Sequence, residues 1–300
     1  MHRPTRRDFL KSSAAAAVLG GVAAAPPAKA ATRSATDWVT LGNSGVKVTR
    51  LAFGTGTYGG KKQRELGQEA FTRLVRHAYD SGIRFFETAD GYKGMPQMLA
   101  TALKGIPRDS YRLMTKYRIT EAEADHDIQG TIDRLRKDLN SEYLDILLLH
   151  CLRSPRWPQE LKEHQDVFSE AKSKKVILAH GASVHGLLPL RAFPGNQWLD
   201  VALLRTNHKG IRMDTLQQRD TDDIGNVDEV ITHAKEIHAQ GTGVLGMKLV
   251  GEGQFKTREE RQKALRFVFG LGAVDAVTIG YEKPEEIDEA IENINLALKA

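Results

Sequence analysis

The sequence predicts an α/β protein built as a (β/α)8 TIM barrel, with a short N-terminal hairpin before the first barrel strand. Short β-branched or apolar runs alternate with longer segments that have a helical hydrophobic period. Uninterrupted apolar runs such as Leu147–Leu149 are typical of parallel strands covered on both faces. Eight such runs, each followed by a plausible helix, fit this fold, whose typical size is about 250 residues.

The elements are assigned from hydrophobic runs and their spacing. The eight barrel strands are predicted at Arg50–Gly54, Arg84–Ala89, Tyr111–Lys116, Leu144–His150, Val176–Ser183, Val201–Arg205, Gly243–Lys248 and Ala276–Ile279. Four helices have apolar residues at spacings of three and four, namely Glu69–Ser81, Ile128–Leu139, Val227–Gln240 and Glu285–Leu298. The hairpin pairs Trp38–Leu41 with Val46–Val48, because the Asn and Gly residues between them suit a tight turn.

A doubly wound sheet would show the same alternation of strands and helices. The glycine-rich segment Gly54–Gly60 follows the first barrel strand, but it does not open a helix at the spacing of a dinucleotide fingerprint. No Pro/Gly/Ser-rich linker divides the chain after its N-terminus. We therefore expect residues 31–300 to form a single barrel domain.

Residues 1–30 have the organisation of a signal peptide. Arg6 and Arg7 precede a weakly apolar run, Ala14–Ala25, and Ala28-Lys29-Ala30 is a small-x-small cleavage site. The paired arginines, followed by Phe9-Leu10-Lys11, resemble the twin-arginine consensus. This resemblance implies export by the Tat pathway, a transient partnership with the Tat translocase and a periplasmic or other extracytoplasmic location.

Composition excludes several classes of function. The formal charge of +5 falls to near neutrality beyond residue 30, where 38 basic residues face 37 acidic ones. A nearly neutral body has no electrostatic footprint for nucleic acid. After the N-terminus no stretch of about 18 apolar residues occurs, so no stable membrane insertion is expected after cleavage. The single cysteine, Cys151, forms no intramolecular disulfide.

Polar residues able to transfer a proton stand at the ends of consecutive predicted strands. Glu87 and Tyr92 follow the second strand, Lys116 ends the third and His150 ends the fourth. In barrels of this kind the active site lies at the carboxyl ends of the strands. A lysine ammonium is expected to lower the pKa of a neighbouring phenol, a carboxylate holds the ammonium charged, and an imidazole orients a carbonyl. The pattern therefore indicates carbonyl chemistry.

Three segments resemble motifs of the aldo-keto reductase family, over roughly Val39 to Ile294. They are Gly82–Tyr92, Arg108–Lys116 and Leu139–His150. The resemblance implies reduction of an aldehyde or ketone, a small-molecule carbonyl substrate, by hydride from a nicotinamide cofactor. It implies Tyr92 as general acid, Lys116 as its tuner, Glu87 as the partner of the lysine and His150 as the group that orients the carbonyl.

The resemblance also implies a site for NADP or NAD. The expected cofactor-binding residues are Gly54, Thr55, Gly56, Ser183, Asn207, Lys248, Gly280, Lys283 and Glu286. Several positions depart from the family: Glu87 replaces Asp, Val184 replaces Asn and Leu203 replaces Gln. Lys283 suits the 2′-phosphate of NADP, whereas Glu286 stands where an Arg is common and would repel it. The choice of cofactor stays open at this level.

Other interpretations are compatible with the sequence. The departures from the family fit a binding or regulatory module with weak or lost catalysis, and Lys116 could form a Schiff base as in aldolase-type barrels. No His-rich spacing supports a metal site. The loops Arg153–Pro158, which contains Trp157, and Lys209–Asp223 are candidates for the substrate pocket.

Overall fold

The computed structural model describes residues 33–119, 127–217 and 224–299, which belong to one compact unit, Arg33–Ala300. The interpretation of residues 1–30 as a signal peptide lies outside these ranges. The same is true of part of the loop Lys209–Asp223.

Eight parallel strands close into a barrel, as the sequence predicts. In chain order they are β3 (Leu51–Gly54), β4 (Phe85–Glu87), β5 (Arg112–Arg118), β6 (Leu144–Leu152), β7 (Ile177–Val184), β8 (Val201–Arg205), β9 (Gly243–Met247) and β10 (Ala276–Gly280). Each strand pairs with the next, and β10 pairs with β3 to complete the ring. This order brings the carboxyl ends of all eight strands to one rim.

An antiparallel hairpin precedes the barrel. Its strands, β1 (Trp38–Thr40) and β2 (Lys47–Thr49), pair with Val39 opposite Val48. Three hairpin residues, Leu41, Val46 and Val48, are buried in the same apolar cluster as the side chains that fill the barrel, such as Phe85 and Leu148. The hairpin therefore contributes to the core inside the barrel.

The helices cover the outside of the barrel with their apolar faces. Those of more than five residues are Gly67–Asp80, Met95–Leu103, Ile128–Asp138, Lys162–Ser173, Val227–Ala239, Arg258–Gly270 and Pro284–Ala297. Short helices lie at Lys61–Glu65, Trp157–Glu160 and Leu187–Leu190, and 3-10 turns lie at Arg108–Ser110 and Gly251–Gly253. Among the described residues, no helix combines the length and apolarity that spanning a membrane would need.

The predicted boundaries agree with the observed ones to within a few residues. At the rim the differences reach two residues, since β4 stops at Glu87 whereas β5 and β6 continue to Arg118 and Leu152. Beyond β4 the backbone keeps contact with β5, because the amides of Thr88 and Asp90 donate to the carbonyls of Met114 and Lys116. This pairing holds the segment that leads to Tyr92 against the end of β5.

Candidate active site

The barrel brings the four predicted catalytic side chains to its carboxyl rim. Glu87 is the last residue of β4, Lys116 lies on β5, His150 lies on β6, and Tyr92 lies in the loop after β4. Register explains this placement, since Lys116 pairs with Leu148 and Arg118 with His150 across β5 and β6.

Lys116 is the centre of the cluster. Its ammonium donates to Oε1 of Glu87, to the carbonyl of Thr88 at 3.0 Å and to the phenol oxygen of Tyr92 at 3.2 Å. Burial lowers the pKa of Lys116, and the charge and hydrogen bond of Glu87 oppose this effect. All three ammonium protons have acceptors. This arrangement favours a fixed cation over the mobile amine that a Schiff-base mechanism requires.

Tyr92 places its hydroxyl group against the rim. A Cβ atom on Gly56 would lie 2.6 Å from that hydroxyl oxygen, so the missing side chain at Gly56 leaves room for the phenol. Burial raises the pKa of Tyr92 well above its ordinary value, and the charge of Glu87 raises it further. The sequence led us to expect a lowered pKa. The direction is the opposite because burial disfavours the charged phenolate. The phenol is therefore protonated at neutral pH, as a proton donor must be.

The ring of His150 packs against the phenol ring of Tyr92. The two rings lie edge to face, with centroids 5.5 Å apart and an interplanar angle of 83°. The loop that carries Tyr92 is held from outside by Asp90, whose carboxylate receives two hydrogen bonds from Arg134, at 2.9 and 3.1 Å. Both contacts fix the position of the phenol.

Glu87 has a separate partner for each carboxylate oxygen. Oε1 accepts from Lys116, and Oε2 accepts a 3.1 Å hydrogen bond from the hydroxyl of Thr278 on β10. Glu87 is only 4% exposed, so its charge is sequestered from water. A buried carboxylate of this kind needs both partners.

A cavity of about 540 Å³ extends from this cluster along the rim. Glu87, Tyr92 and Lys116 lie at its inner end, beside the apolar side chains of Leu203 and Met247. Its other end reaches the start of the helix Pro284–Ala297. A site of this volume accommodates an elongated organic molecule.

The cavity receives five of the nine predicted cofactor-binding residues. Those that line it are Gly54, Gly56, Lys248, Gly280 and Glu286.

The other four lie outside its lining, because local contacts occupy most of them. Thr55 donates to Thr88 at 2.9 Å, and the Ser183 hydroxyl accepts from the amide of Cys151 at 2.9 Å. Lys283 is exposed at the start of the last helix.

Asn207 is buried, and its side chain forms hydrogen bonds with the backbone of the surrounding loops. Its amide nitrogen donates to the carbonyls of Ile211 and Lys248, and its oxygen accepts from the amides of Lys209 and Ile211. Both polar atoms of the side chain are thus committed to the backbone. Asn207 therefore shapes the rim without lining the cavity.

The far end of the cavity carries several carboxylates. Glu282, Glu286 and Glu289 all line it. Arg261 also lines it, but Glu289 binds its guanidinium through two hydrogen bonds of 2.6 and 2.8 Å. The ammonium nitrogen of Lys62 lies 3.6 Å from a carboxylate oxygen of Glu282. Arg261 and Lys62 are therefore largely neutralised by neighbouring carboxylates, whereas Lys256 also lines the cavity.

Features of the cavity fit a dinucleotide. A Cβ atom on Gly280 would collide with the hydroxyl of Thr57, so this stretch of backbone closes tightly over the wall. The hydroxyl of Tyr281 and the amide oxygen of Asn293 are buried without a hydrogen-bond partner, and both residues line the cavity. Buried polar atoms usually have partners. The Tyr281 hydroxyl can donate or accept a hydrogen bond and the Asn293 oxygen can accept one, so both suit the polar edge of a bound ring.

Glu252 joins two loops across the cavity. Its carboxylate accepts from the amide of Tyr58 at 3.2 Å and pairs with Lys248. The backbone of Glu252 is left-handed, with φ of 54°. The loop after β9 and the loop after β3 are thus connected above the wall formed by Gly54 and Gly56.

One other sequence-based candidate lies elsewhere. Trp157, considered for the substrate pocket, is 1% exposed and packs against Phe193, with ring centroids 5.4 Å apart. It begins the short helix Trp157–Glu160 and is part of the core. Within the described ranges, no group of three or more His, Cys, Asp or Glu residues has the geometry of a metal site.

The sequence did not single out Thr278, Tyr281, Asn293 or Glu252. For Thr278 a signal existed: it lies two residues before Gly280 on a predicted strand, and alternate residues of a barrel strand point inward. No local pattern marks the other three, because only the fold brings them to the cavity.

The family model described as "Aldo/keto reductase family" matches residues 50–264. The protein named "Probable aldo-keto reductase 1" of Glycine max is 28% identical over 181 residues, 54% of this chain and 51% of that protein. L-galactose dehydrogenase of Arabidopsis thaliana is 32% identical over 118 residues, 37% of this chain and 36% of that protein. The chain thus matches about half or less of the length of these curated relatives.

Solved structures share the fold over most of the chain. An aldo-keto reductase structure from Pseudomonas aeruginosa superposes with a TM-score of 0.69 at 20% identity, covering 88% of this chain and 98% of that one. The holo form of an aldo-keto reductase from Bacillus halodurans gives a TM-score of 0.66 at 17% identity, covering 87% and 95%.

Proposed function

Since the chain belongs to the aldo/keto reductase family, we propose that it is an NAD(P)H-dependent oxidoreductase that reduces an aldehyde or ketone. The observation that carries the proposal is the hydrogen-bonded series Glu87–Lys116–Tyr92, which places a protonated phenol at the inner end of a long cavity. Such a group can protonate a carbonyl oxygen. The reduced nicotinamide supplies the hydride that no side chain can provide.

The roles of the residues follow from their contacts. Tyr92 donates its proton to the carbonyl oxygen, which typically contributes 10²–10⁴-fold in rate for a positioned acid, an order-of-magnitude figure. The ammonium of Lys116, 3.2 Å from the phenol oxygen, stabilises the phenolate that forms. Glu87 keeps that ammonium charged, and His150, edge-on to the phenol, orients the carbonyl.

We also infer a preference for NADH over NADPH. Glu282, Glu286 and Glu289 line the far end of the cavity, and Glu289 already binds the Arg261 guanidinium through two hydrogen bonds. A 2′-phosphate placed there would meet three carboxylates, and like charges repel. A ribose diol would find acceptors there.

The first test is a fluorescence titration of the protein lacking residues 1–30 with NADH and with NADPH. Tight binding of NADH, with NADPH about tenfold or more weaker, supports both proposals, since tenfold corresponds to about 1.4 kcal/mol. Tighter binding of NADPH would contradict the cofactor preference alone. Binding of neither would overturn the reductase function and favour a binding module on this fold.

A charge-reversal variant sharpens the assignment of the cofactor site. Glu286→Arg should strengthen NADPH binding relative to NADH, because it removes a carboxylate from the cavity and adds a guanidinium. Glu285→Arg is the matched control, since Glu285 is the exposed neighbour on the same helix and does not line the cavity. An equal effect of both variants would show only a general electrostatic influence.

We propose that residues 1–30 direct export of the folded protein by the Tat pathway to the periplasm. The support is the paired Arg6 and Arg7 and the composition that follows them. Replacing both arginines by lysine should keep the protein in the cytoplasm with residues 1–30 attached, whereas Arg3→Lys should not. Continued export of the double variant would contradict this route.

A further inference from the structure

Thr278 contacts the catalytic cluster from the last strand of the barrel. Its hydroxyl donates a 3.1 Å hydrogen bond to Oε2 of Glu87, the carboxylate oxygen that Lys116 does not use. Thr278 is 9% exposed and Glu87 4%, so water has little access to this contact. The two residues are 191 positions apart in the chain.

Gly54 makes the contact possible. It lies on β3, between the two strands, and pairs with Gly280 on one side and Glu87 on the other. A Cβ atom at this position would lie 2.6 Å from the Thr278 hydroxyl and 3.0 Å from Oε2 of Glu87. The absence of a side chain at Gly54 therefore gives Glu87 and Thr278 the space in which they meet.

We infer that Thr278 is a positioning residue for the reaction, which fixes the carboxylate of Glu87 so that Lys116 stays aligned with Tyr92. The inference rests on the proposed reductase function and deepens it. It assigns to β10, the eighth barrel strand, a role in fixing the carboxylate of Glu87 on β4, the second barrel strand.

The physical reason is the pairing of a buried carboxylate. Without the hydroxyl of Thr278, Oε2 of Glu87 would have no hydrogen-bond partner. An unpaired carboxylate oxygen in a site with little water is energetically unfavourable. The carboxylate would turn to find another partner, and its other oxygen would leave the ammonium. The titratable groups that act on the ammonium are Glu87 from β4, Tyr92 from the following loop and Cys151 from β6. Of these, Glu87 is the one that holds it charged.

The test compares Thr278→Val, which keeps the shape and removes the donor, with Thr278→Ser, which keeps the donor. We expect Thr278→Val to lower kcat by about 10-fold to 100-fold, since a small misplacement of a catalytic group has effects of that order. The dissociation constant of NADH should be nearly unchanged. Thr278→Ser should recover most of the rate, and the exposed Thr101→Val controls for loss of a threonine hydroxyl.

A second readout does not depend on turnover. In protein labelled with ¹³C at the lysine ε-carbon, NMR follows the pH at which Lys116 loses its proton, with Lys116→Met assigning the signal. Thr278→Val should move this transition to lower pH, and Thr278→Ser should leave it close to the wild-type position. An unchanged transition in Thr278→Val would overturn the inference, even if the wild-type protein bound no cofactor and the reductase function failed.

A third comparison uses Glu87→Asp, whose carboxylate is withdrawn by one carbon–carbon bond. In that background Thr278→Val should have little further effect on either readout, because the hydrogen bond is already lost. If Thr278→Val had the same effect with Asp as with Glu at position 87, Thr278 would act by packing alone. That result would also overturn the inference.

Discussion

The ammonium of Lys116 donates a hydrogen bond to the phenol oxygen of Tyr92 over 3.2 Å. The two residues come from different barrel elements, β5 and the loop after β4, and the same ammonium binds Glu87 at the end of β4. A cation in this position stabilises negative charge that develops on the phenol oxygen when its proton leaves. Pairing of the barrel elements at the rim therefore places the lysine charge where proton donation by Tyr92 needs it.

Tyr92→Phe removes the proposed acid and keeps the ring. Carbonyl reduction should fall by about 10²-fold or more, the usual contribution of a positioned proton donor. NADH binding should be close to wild type, because the substitution leaves the rest of the cavity in place. Steady-state kinetics and a fluorescence titration on the same preparation measure the two effects. Turnover at the wild-type rate would show that another group supplies the proton.

Glu87→Gln should move the loss of activity at alkaline pH to lower pH. Burial lowers the pKa of Lys116, and the charge of Glu87 is the main influence that raises it again. Without that charge, Lys116 loses its proton at lower pH. The pKa of Tyr92 also falls, because Glu87 helps to raise it. As pH rises, the Lys116 ammonium and the Tyr92 phenol therefore both lose their protons at a lower pH than in the wild type.

The profile of kcat/KM from neutral to strongly alkaline pH tests this expectation. Glu142→Gln is the control, because the side chain of Glu142 is 99% exposed. A profile of Glu87→Gln that overlays that of the wild type would mean that Lys116 does not need the carboxylate.

Gly56→Ala should slow the reaction without unfolding the protein. The added Cβ atom would lie 2.6 Å from the Tyr92 hydroxyl, so the phenol must shift. A shift of about 1 Å can lower the rate by about 100-fold. Gly270→Ala is the control, since a Cβ atom there meets nothing within 4 Å. Kinetics together with thermal unfolding separate displacement of the phenol from loss of structure.

Trp157→Ala tests whether this residue belongs to the core or to the substrate pocket. Because Trp157 is 1% exposed, its truncation should lower the free energy of unfolding by about 3–5 kcal/mol. The KM values of different carbonyl substrates should keep their order. Trp38→Ala, at a position 44% exposed, should cost about 1 kcal/mol or less. Urea denaturation measures the free energy of unfolding of both variants. A changed order of KM values in Trp157→Ala would show that Trp157 belongs to the substrate pocket.

Much of the fold could be predicted because local hydrophobic patterns determine it. The run Val201–Arg205 is a strand with the predicted bounds, and Ile128–Leu139 differs from the observed helix by one residue. Helices Met95–Leu103, Lys162–Ser173 and Arg258–Gly270 are not individually assigned from the sequence. The last two are rich in charged residues, which weakens the apolar stripe.

The candidate site could be predicted in part. Glu87, Lys116 and His150 stand on strands whose ends must meet in a barrel, so their proximity follows from the fold class. The direction of the Tyr92 pKa could not be predicted in this way, because burial depends on every neighbour of the phenol. Asn207 matches a family position in the sequence, yet its side chain bonds to its own loop.

The alternation of strands and helices can be predicted from the amino-acid sequence, and with it the placement of Glu87, Lys116 and His150 at the carboxyl rim. Periodicity and short motifs suffice for this, since they depend on neighbours along the chain. Which further groups complete the site depends on how the chain folds in three dimensions. Thr278 reaches Glu87 because closing the barrel brings β10 beside β3, where Gly54 leaves a gap. A contact between residues so distant in the chain depends on closure of the ring, which no local pattern records.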